Sequence, residues 1–86
     1  MKKYAITYKQ SASEELLKLP ATIAHKVLAA INNLSENPRP YNCIKLKGSI
    51  NEYRIRIANY RVIYTIKDAV LLIIVIKIAH RKDVYR

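Results

Sequence analysis

Apolar and polar residues alternate on both sides of Ala58-Asn59 within residues 52–64, which read Glu-Tyr-Arg-Ile-Arg-Ile-Ala-Asn-Tyr-Arg-Val-Ile-Tyr. A period of two is typical of half-buried strands, and Ala58-Asn59 at the centre predicts the turn of a β-hairpin. A two-residue loop sets Ile57 opposite Tyr60 and Arg56 opposite Arg61. One face is then apolar and aromatic, with Tyr53, Ile55, Ile57, Tyr60, Val62 and Tyr64. The other face carries Arg54, Arg56, Arg61 and Ile63.

Like charges directly opposite each other destabilise a sheet. The predicted pairing of Arg56 with Arg61 therefore has two interpretations. It is either a solvated basic face or a face that holds an anion such as phosphate.

The first half of the chain predicts one strand and two helices. Lys3–Tyr8 has the β-branched and aromatic content of a short strand. Ser11 and Glu14 have capping-box spacing and predict the start of a helix. Pro20 suits the first turn of a second helix, which ends at Asn37-Pro38 because the residue before proline avoids the α region. The apolar stripe of this second helix comprises Ile23, Val27, Ile31 and Leu34.

The register of the last strand depends on the turn before it. A three-residue turn at Lys67–Ala69 directs alternate aliphatic residues of the following strand toward the helices. That register places Lys77 and Arg81 on the same face as the hairpin arginines, whereas a one-residue slip exchanges the two faces. We therefore predict this turn. The inward residues are then Val70, Leu72, Ile74, Ile76 and Ile78.

These elements predict an α+β fold of order β-α-α-β-β-β, in a single domain spanning residues 1–86. The helical hairpin packs on one face of a twisted antiparallel sheet and buries the apolar face of the strands. The arginines gather on the opposite face.

Composition narrows the possible functions. The chain has 86 residues and a formal net charge of +10, with ten Lys/Arg against three acidic residues in residues 42–86. Such a basic half indicates a nucleic acid or an acidic protein as partner. One cysteine and two histidines provide no metal-ligand cluster, so neither a metal nor a small-molecule cofactor is expected. The longest apolar run, residues 69–76, is too short for a membrane span, and a cytoplasmic protein without membrane contact is expected.

Several short motifs follow one another along the chain. They are Leu19-Pro20, Asn37-Pro38-Arg39-Pro40, Lys45-Leu46-Lys47-Gly48, Tyr53-Arg54-Ile55-Arg56, Tyr60-Arg61-Val62-Ile63-Tyr64 and His80-Arg81-Lys82-Asp83-Val84-Tyr85. Together this succession resembles the RelE/ParE toxin superfamily over essentially the whole chain. The tyrosine-arginine hairpin and the C-terminal block, taken together, resemble the RelE branch. The resemblance implies the toxin of a type II toxin–antitoxin system. RelE-type toxins are ribosome-dependent endonucleases that cleave mRNA in the A site without metal, through a 2′-hydroxyl nucleophile. An acidic antitoxin, the ribosome and mRNA are the implied partners.

The resemblance also implies roles for individual residues. Arg61 and Arg81 match residues that hold the scissile phosphate, and Tyr85 matches a tyrosine that stacks on a base and protonates the leaving oxygen. Arg54 and Arg56 fall where some relatives carry lysines, one of which is proposed as general base, but an arginine is a poor base because its pKa exceeds about 12. Arg56 is therefore expected to polarise the 2′-hydroxyl or to hold the phosphate. His80 is expected to be structural. The remaining predicted RNA-binding residues are Lys45, Lys47, Arg54, Lys77 and Lys82.

Three alternatives remain open at this point. A ParE-type toxin shares the fold but inhibits DNA gyrase, and the set of Arg61, Arg81 and Tyr85 argues against it. An inert, antitoxin-binding remnant would use the basic face only for docking. A nonspecific RNA-binding module would bind phosphates without cleaving them.

Overall fold

The computed structural model describes residues 3–84, and the side chains of residues 3–82. Within this range the chain forms five strands and three helices. They are β1 (Ala5–Tyr8), α1 (Gln10–Leu17), α2 (Ala21–Asn33), β2 (Ile44–Lys45), β3 (Glu52–Ile57), β4 (Tyr60–Lys67), β5 (Leu72–His80) and α3 (Arg81–Val84). A short 3-10 turn, Asp68–Val70, lies between β4 and β5. The predicted α+β class, with α1 and α2 packed on a sheet, is confirmed.

The sheet has the strand order β1-β5-β4-β3-β2. The predicted hairpin register is confirmed, with Ile57 opposite Tyr60, Arg56 opposite Arg61 and a two-residue loop. The sheet is mixed rather than wholly antiparallel, because β1 pairs with β5 in parallel. The two helices connect β1 to the other strands, which leaves β1 free to enter the sheet in either direction.

The register predicted for β5 is wrong along most of the strand. The loop spans four residues, with Lys67 opposite Leu72, and a bulge shifts the pairing between Ile63 and Tyr64. The bulge leaves Ile76 as the extra residue on β5 and exchanges the faces on its two sides. The residues of β5 buried in the core are therefore Ile73, Val75 and Ile78. Of the five residues predicted to point inward, Ile78 does so.

The core lies between α2 and the helix-facing side of the sheet. Val27 and Ile31 of α2 and the following Leu34 are fully buried, as the predicted stripe requires. Their sheet partners in the core are Tyr53, Ile55, Val62, Tyr64, Ile66, Ile73, Val75 and Ile78. At about 25 cal/mol per Å² of apolar surface removed from water, this layer is the main source of stability.

The predicted capping box at the start of α1 is wrong. The helix begins at Gln10, Lys9 precedes it in an extended conformation, and no side chain caps its first turn. Glu14 instead accepts a hydrogen bond from the Gln10 side chain, at 3.2 Å. Because β1 ends at Tyr8, the chain enters the helix before Ser11 is reached.

Candidate nucleic-acid interface

Arg61 lies in the middle of the predicted site, on central strand β4. Its register partner on β3 is Arg56 and its partner on β5 is Ala79. Although it lies on the face away from α2, its side chain is buried, with 3% of its surface exposed. Of the two interpretations of the Arg56–Arg61 pair, a fully solvated basic face is wrong at Arg61. The α3 helix contacts both β4 and β5 near this position. The Arg61 Nη1 donates a hydrogen bond to the backbone carbonyl of Arg81, at 3.3 Å.

Three contacts fix the junction of β5 and α3. The backbone N–H of Arg81 donates to the Asn59 carbonyl in the hairpin loop, at 2.7 Å. The backbone N–H of Lys82 donates to Nδ1 of His80, at 3.3 Å. The His80 ring meets the Tyr60 ring edge-on, with 5.3 Å between centroids. His80 therefore lies on the face opposite Arg61, and the junction holds Arg81 beside the hairpin.

The arginines on this side of the sheet share one face, here called the arginine face and defined by Arg54, Arg56 and the buried Arg61. Arg56 is exposed and Arg54 is half-buried. Arg54 and Arg56 lie two residues apart on β3, so their side chains share a face. Exposed Arg81 borders the face through the contact between its carbonyl and Arg61. The structure therefore brings together four predicted site residues.

The predicted lysines lie in different places. Lys82 is exposed on α3 next to Arg81, and Lys47 is exposed in the loop after β2. Lys45 pairs with Tyr53, so it projects from the face opposite Arg54. Lys77 forms an ion pair with Glu15 of α1, with 3.2 Å between Nζ and Oε2. Tyr85, the remaining predicted catalytic residue, lies outside the described residues.

Asn59 and Glu15 were not predicted as site residues. The Asn59 carbonyl matters because α3 returns to the hairpin loop, and a backbone acceptor leaves no signal in the sequence. Glu15 accepts a hydrogen bond from the backbone N–H of Ile78, at 2.8 Å, in addition to its contact with Lys77. Both of its partners lie more than 60 residues away, beyond the reach of local patterns.

A second polar cluster, here called the Asp68 clamp, comprises Tyr4, Arg39, Tyr53 and Asp68. Arg39 Nη2 contacts Asp68 Oδ2 at 2.7 Å, and the Tyr4 hydroxyl donates to Asp68 Oδ1 at 2.5 Å. Arg39 Nε also donates to the Tyr53 hydroxyl, at 3.2 Å. The Arg39 guanidinium and the Tyr4 hydroxyl lower the pKa of Asp68, while the hydrogen bond to Asp68 raises the pKa of Tyr4. The clamp joins the loop after α2 to the β4–β5 turn and therefore contributes to the stability of the fold.

The donor groups of the arginine face determine its chemistry. A guanidinium presents a planar fork of N–H groups that can bind two phosphate oxygens at once. Within residues 3–82, no three His, Cys, Asp or Glu side chains form a group that could hold a metal ion. No helix in the described part of the chain is long and apolar enough to cross a membrane. The arrangement is suited to binding a phosphate and stabilising additional negative charge on it.

Comparison with known proteins identifies the family. Residues 6–85 match the family model of the ParE toxin of the type II toxin–antitoxin system parDE. The RelE1 protein of Methanocaldococcus jannaschii is 31% identical over 87 residues, which cover 98% of this chain and 97% of that protein. The chain belongs to the RelE/ParE family of type II toxins. The resemblance seen in the sequence is therefore confirmed.

Solved RelE structures share the fold of this toxin. The archaeal RelE–RelB complex of Pyrococcus horikoshii contains a chain with a TM-score of 0.83 and 27% identity, covering 94% of this chain and 98% of that one. A mutant of the Escherichia coli toxin RelE in the free state gives a TM-score of 0.81 and 25% identity, covering 95% of this chain and 87% of that one. The similarity spans nearly the whole toxin in both cases.

Proposed function

We propose that this toxin is a ribosome-dependent endonuclease that cleaves mRNA in the A site without a metal ion. The observation that carries the proposal is the contact between Arg61 and the start of α3. It joins Arg81 to the arginine face, where Arg56 lies directly across the strand pair from Arg61. Arginines from three elements, Arg56 of β3, Arg61 of β4 and Arg81 of α3, thus lie next to one another at one end of the sheet.

In the proposed reaction, the 2′-oxygen of one nucleotide attacks the adjacent phosphorus while the bond from phosphorus to the 5′-oxygen breaks. The 2′-hydroxyl gives its proton to solvent water, the 5′-oxygen gains one from Tyr85, and a 2′,3′-cyclic phosphate remains. Arg61 and Arg81 stabilise the negative charge that builds on the phosphate, the usual role of arginine in such transition states. Arg56 polarises the 2′-hydroxyl or holds a phosphate oxygen. Tyr85 stacks on a neighbouring base and protonates the 5′-oxygen.

Other basic residues would hold the RNA in place. Arg54 and Lys82 flank the proposed catalytic group on β3 and α3. Lys45 and Lys47 lie near the edge strand β2 and suit contacts with ribosomal RNA phosphates, which position a protein without reading sequence. Lys77 already faces Glu15, so its free charge toward the arginine face is reduced.

The proposed protein partner is an acidic antitoxin. The net charge of +10 favours an acidic protein, and the similar P. horikoshii toxin was solved with RelB. We expect the toxin to act in the cytoplasm, where it meets ribosomes and mRNA. Co-expression with the adjacent gene product should yield a complex that withstands purification, and recovery of the two proteins separately would contradict this partner.

The test of the function is in-vitro translation of a defined mRNA with purified toxin, followed by primer extension. The proposal predicts arrested translation and new 5′ ends at A-site codons. The same mRNA without ribosomes should remain intact. Undisturbed translation with intact mRNA would contradict the proposal.

Gyrase inhibition is the second candidate function, because the matching family model describes ParE toxins. A DNA supercoiling assay with purified gyrase distinguishes the two. The endonuclease proposal predicts unchanged supercoiling at toxin concentrations that stop translation. Loss of supercoiling with normal translation would establish the gyrase inhibitor, and no effect in either assay would indicate an inert antitoxin-binding protein.

A further inference from the structure

Strand β5 extends beyond its neighbour β1. The last pair between them joins Tyr8 to Val75, so residues 76–80 of β5 have an edge without a neighbouring strand. Glu15 of α1 covers part of this edge, because its two carboxylate oxygens accept hydrogen bonds from the Ile78 N–H and the Lys77 Nζ. The alternation of the backbone directs the N–H of His80 to the same edge as that of Ile78.

A cleft of about 320 Å³ lies between this edge and the end of α1, here called the β5 cleft. Polar residues from three elements line it. They are Glu15 and Lys18 at the end of α1, Tyr60 on β4, and Lys77 and His80 on β5. Lys18 is exposed and forms no ion pair or side-chain hydrogen bond within residues 3–82.

Most of the side-chain groups in the β5 cleft that can still form hydrogen bonds are donors. Both oxygens of Glu15 are already engaged, and Nδ1 of His80 accepts from Lys82. A neutral imidazole that accepts at Nδ1 carries its proton on Nε2, so the free nitrogen is a donor. The Lys18 ammonium, the Tyr60 phenol and this ring N–H suit an oxyanion, and the Lys77 ammonium, which also contacts Glu15, lies beside them.

We propose that the β5 cleft binds a phosphate of the RNA strand that neighbours the scissile phosphate. That the bound strand is RNA rests on the proposed function. His80 and Arg81 are consecutive residues, so the cleft and the arginine face lie on two sides of one short backbone segment. Because Arg81 directly follows His80, a strand bound at Arg61 and Arg81 would reach the cleft by passing around the end of β5. An acidic peptide is less favoured, because the polar lining is compact and directly adjoins Arg81.

The test measures the binding of a 2′-deoxy single-stranded oligonucleotide, which cannot be cleaved, over a series of salt concentrations. Lys18→Gln should weaken binding several-fold and reduce the slope of log affinity against log salt by about 0.7, the value for one phosphate contact on a single strand. Lys26→Gln is the matched control. Lys26 is an exposed lysine on α2 outside the cleft, and the substitution changes net charge equally. The control should bind like the wild type.

A second readout follows the His80 imidazole signals by NMR during titration with the oligonucleotide, inorganic phosphate or an acidic peptide. The proposal predicts shifts with the oligonucleotide and weaker shifts with phosphate. Equal effects of the two lysine variants, or unmoved His80 signals, would overturn it. So would a shift with the peptide alone, which would assign the cleft to a protein partner. Since no ribosome or cleavage is involved, these results are independent of the proposed nuclease activity.

Discussion

The buried guanidinium of Arg61 donates a hydrogen bond to the backbone carbonyl of Arg81, with 3.3 Å between the two atoms. This hydrogen bond joins two residues that are 20 positions apart in the sequence. Their side chains differ in how much they contribute to the stability of the fold. Arg61 is part of the packing between β4 and α3, whereas the Arg81 side chain is exposed. Substitutions at the two positions should therefore have different consequences.

Arg81→Ala should remove activity without affecting the fold. The substitution retains the backbone carbonyl that Arg61 contacts, and the lost side chain is exposed. We expect the free energy of unfolding to change by less than about 0.5 kcal/mol. A-site cleavage should fall by at least about 100-fold, as is typical when a group that stabilises transition-state charge is removed. Urea denaturation and a cleavage assay measure the two effects, and cleavage within a few-fold of wild type would contradict the role of Arg81.

Arg61→Ala should affect both activity and stability. It leaves the Arg81 carbonyl without this donor and removes a buried side chain, for which we expect a loss of about 1–3 kcal/mol. Urea denaturation of the variant measures this loss directly. Full stability would show that α3 does not depend on Arg61.

Ala58→Gly should stabilise the hairpin. Ala58 has a φ of 54°, in the left-handed region that favours glycine. Relief of the left-handed penalty of about 1–2 kcal/mol, offset by the larger entropy of unfolded glycine, should give a net gain of about 0.5–1 kcal/mol. Ala69→Gly, in the 3-10 turn, is the control and should be destabilising. A lower thermal midpoint for Ala58→Gly would contradict the turn conformation.

The Asp68 clamp should make stability depend on pH. The pKa of Asp68 is lowered in the folded protein from an ordinary value of 3.8. The stabilisation is therefore present above that value and is lost as pH falls through the lower, folded-state pKa. Wild type should exceed Asp68→Asn in stability at neutral pH, and the difference should shrink at pH values below 3.8. A constant difference across this range, measured by urea denaturation, would exclude the ionised carboxylate as its source.

The strands whose pairing could be predicted from the sequence are those for which the alternation of apolar residues and the length of the turn imply the same register. Strict alternation and the short loop at Ala58-Asn59 determine the register of β3 and β4. Residues 69–76 are apolar at every position, so alternation could not reveal which face each residue takes or where the bulge at Ile76 lies. The parallel pairing of β1 with β5 depends on contacts between the two ends of the chain. Local propensities do not encode such contacts.

In the candidate site, too, some features follow from local sequence pattern and others depend on contacts between distant parts of the chain. The proximity of Arg56 and Arg61 follows from the hairpin register alone. The burial of Arg61 could not be predicted, because it depends on the return of α3 across β4. The ion pair of Lys77 with Glu15 likewise requires the packing of α1 against the edge of β5.

Metal-free attack by the 2′-hydroxyl can be measured as cleavage of mRNA held in a stalled ribosome, in buffer containing EDTA. Two mRNAs are compared, one with natural sugars and one with a single 2′-deoxy nucleotide immediately 5′ of the scissile phosphate. The account predicts rapid cleavage of the first, with a 2′,3′-cyclic phosphate end, and no cleavage of the second. Equal cleavage of both mRNAs would contradict attack by the 2′-hydroxyl, and no cleavage of either would contradict the metal-free endonuclease.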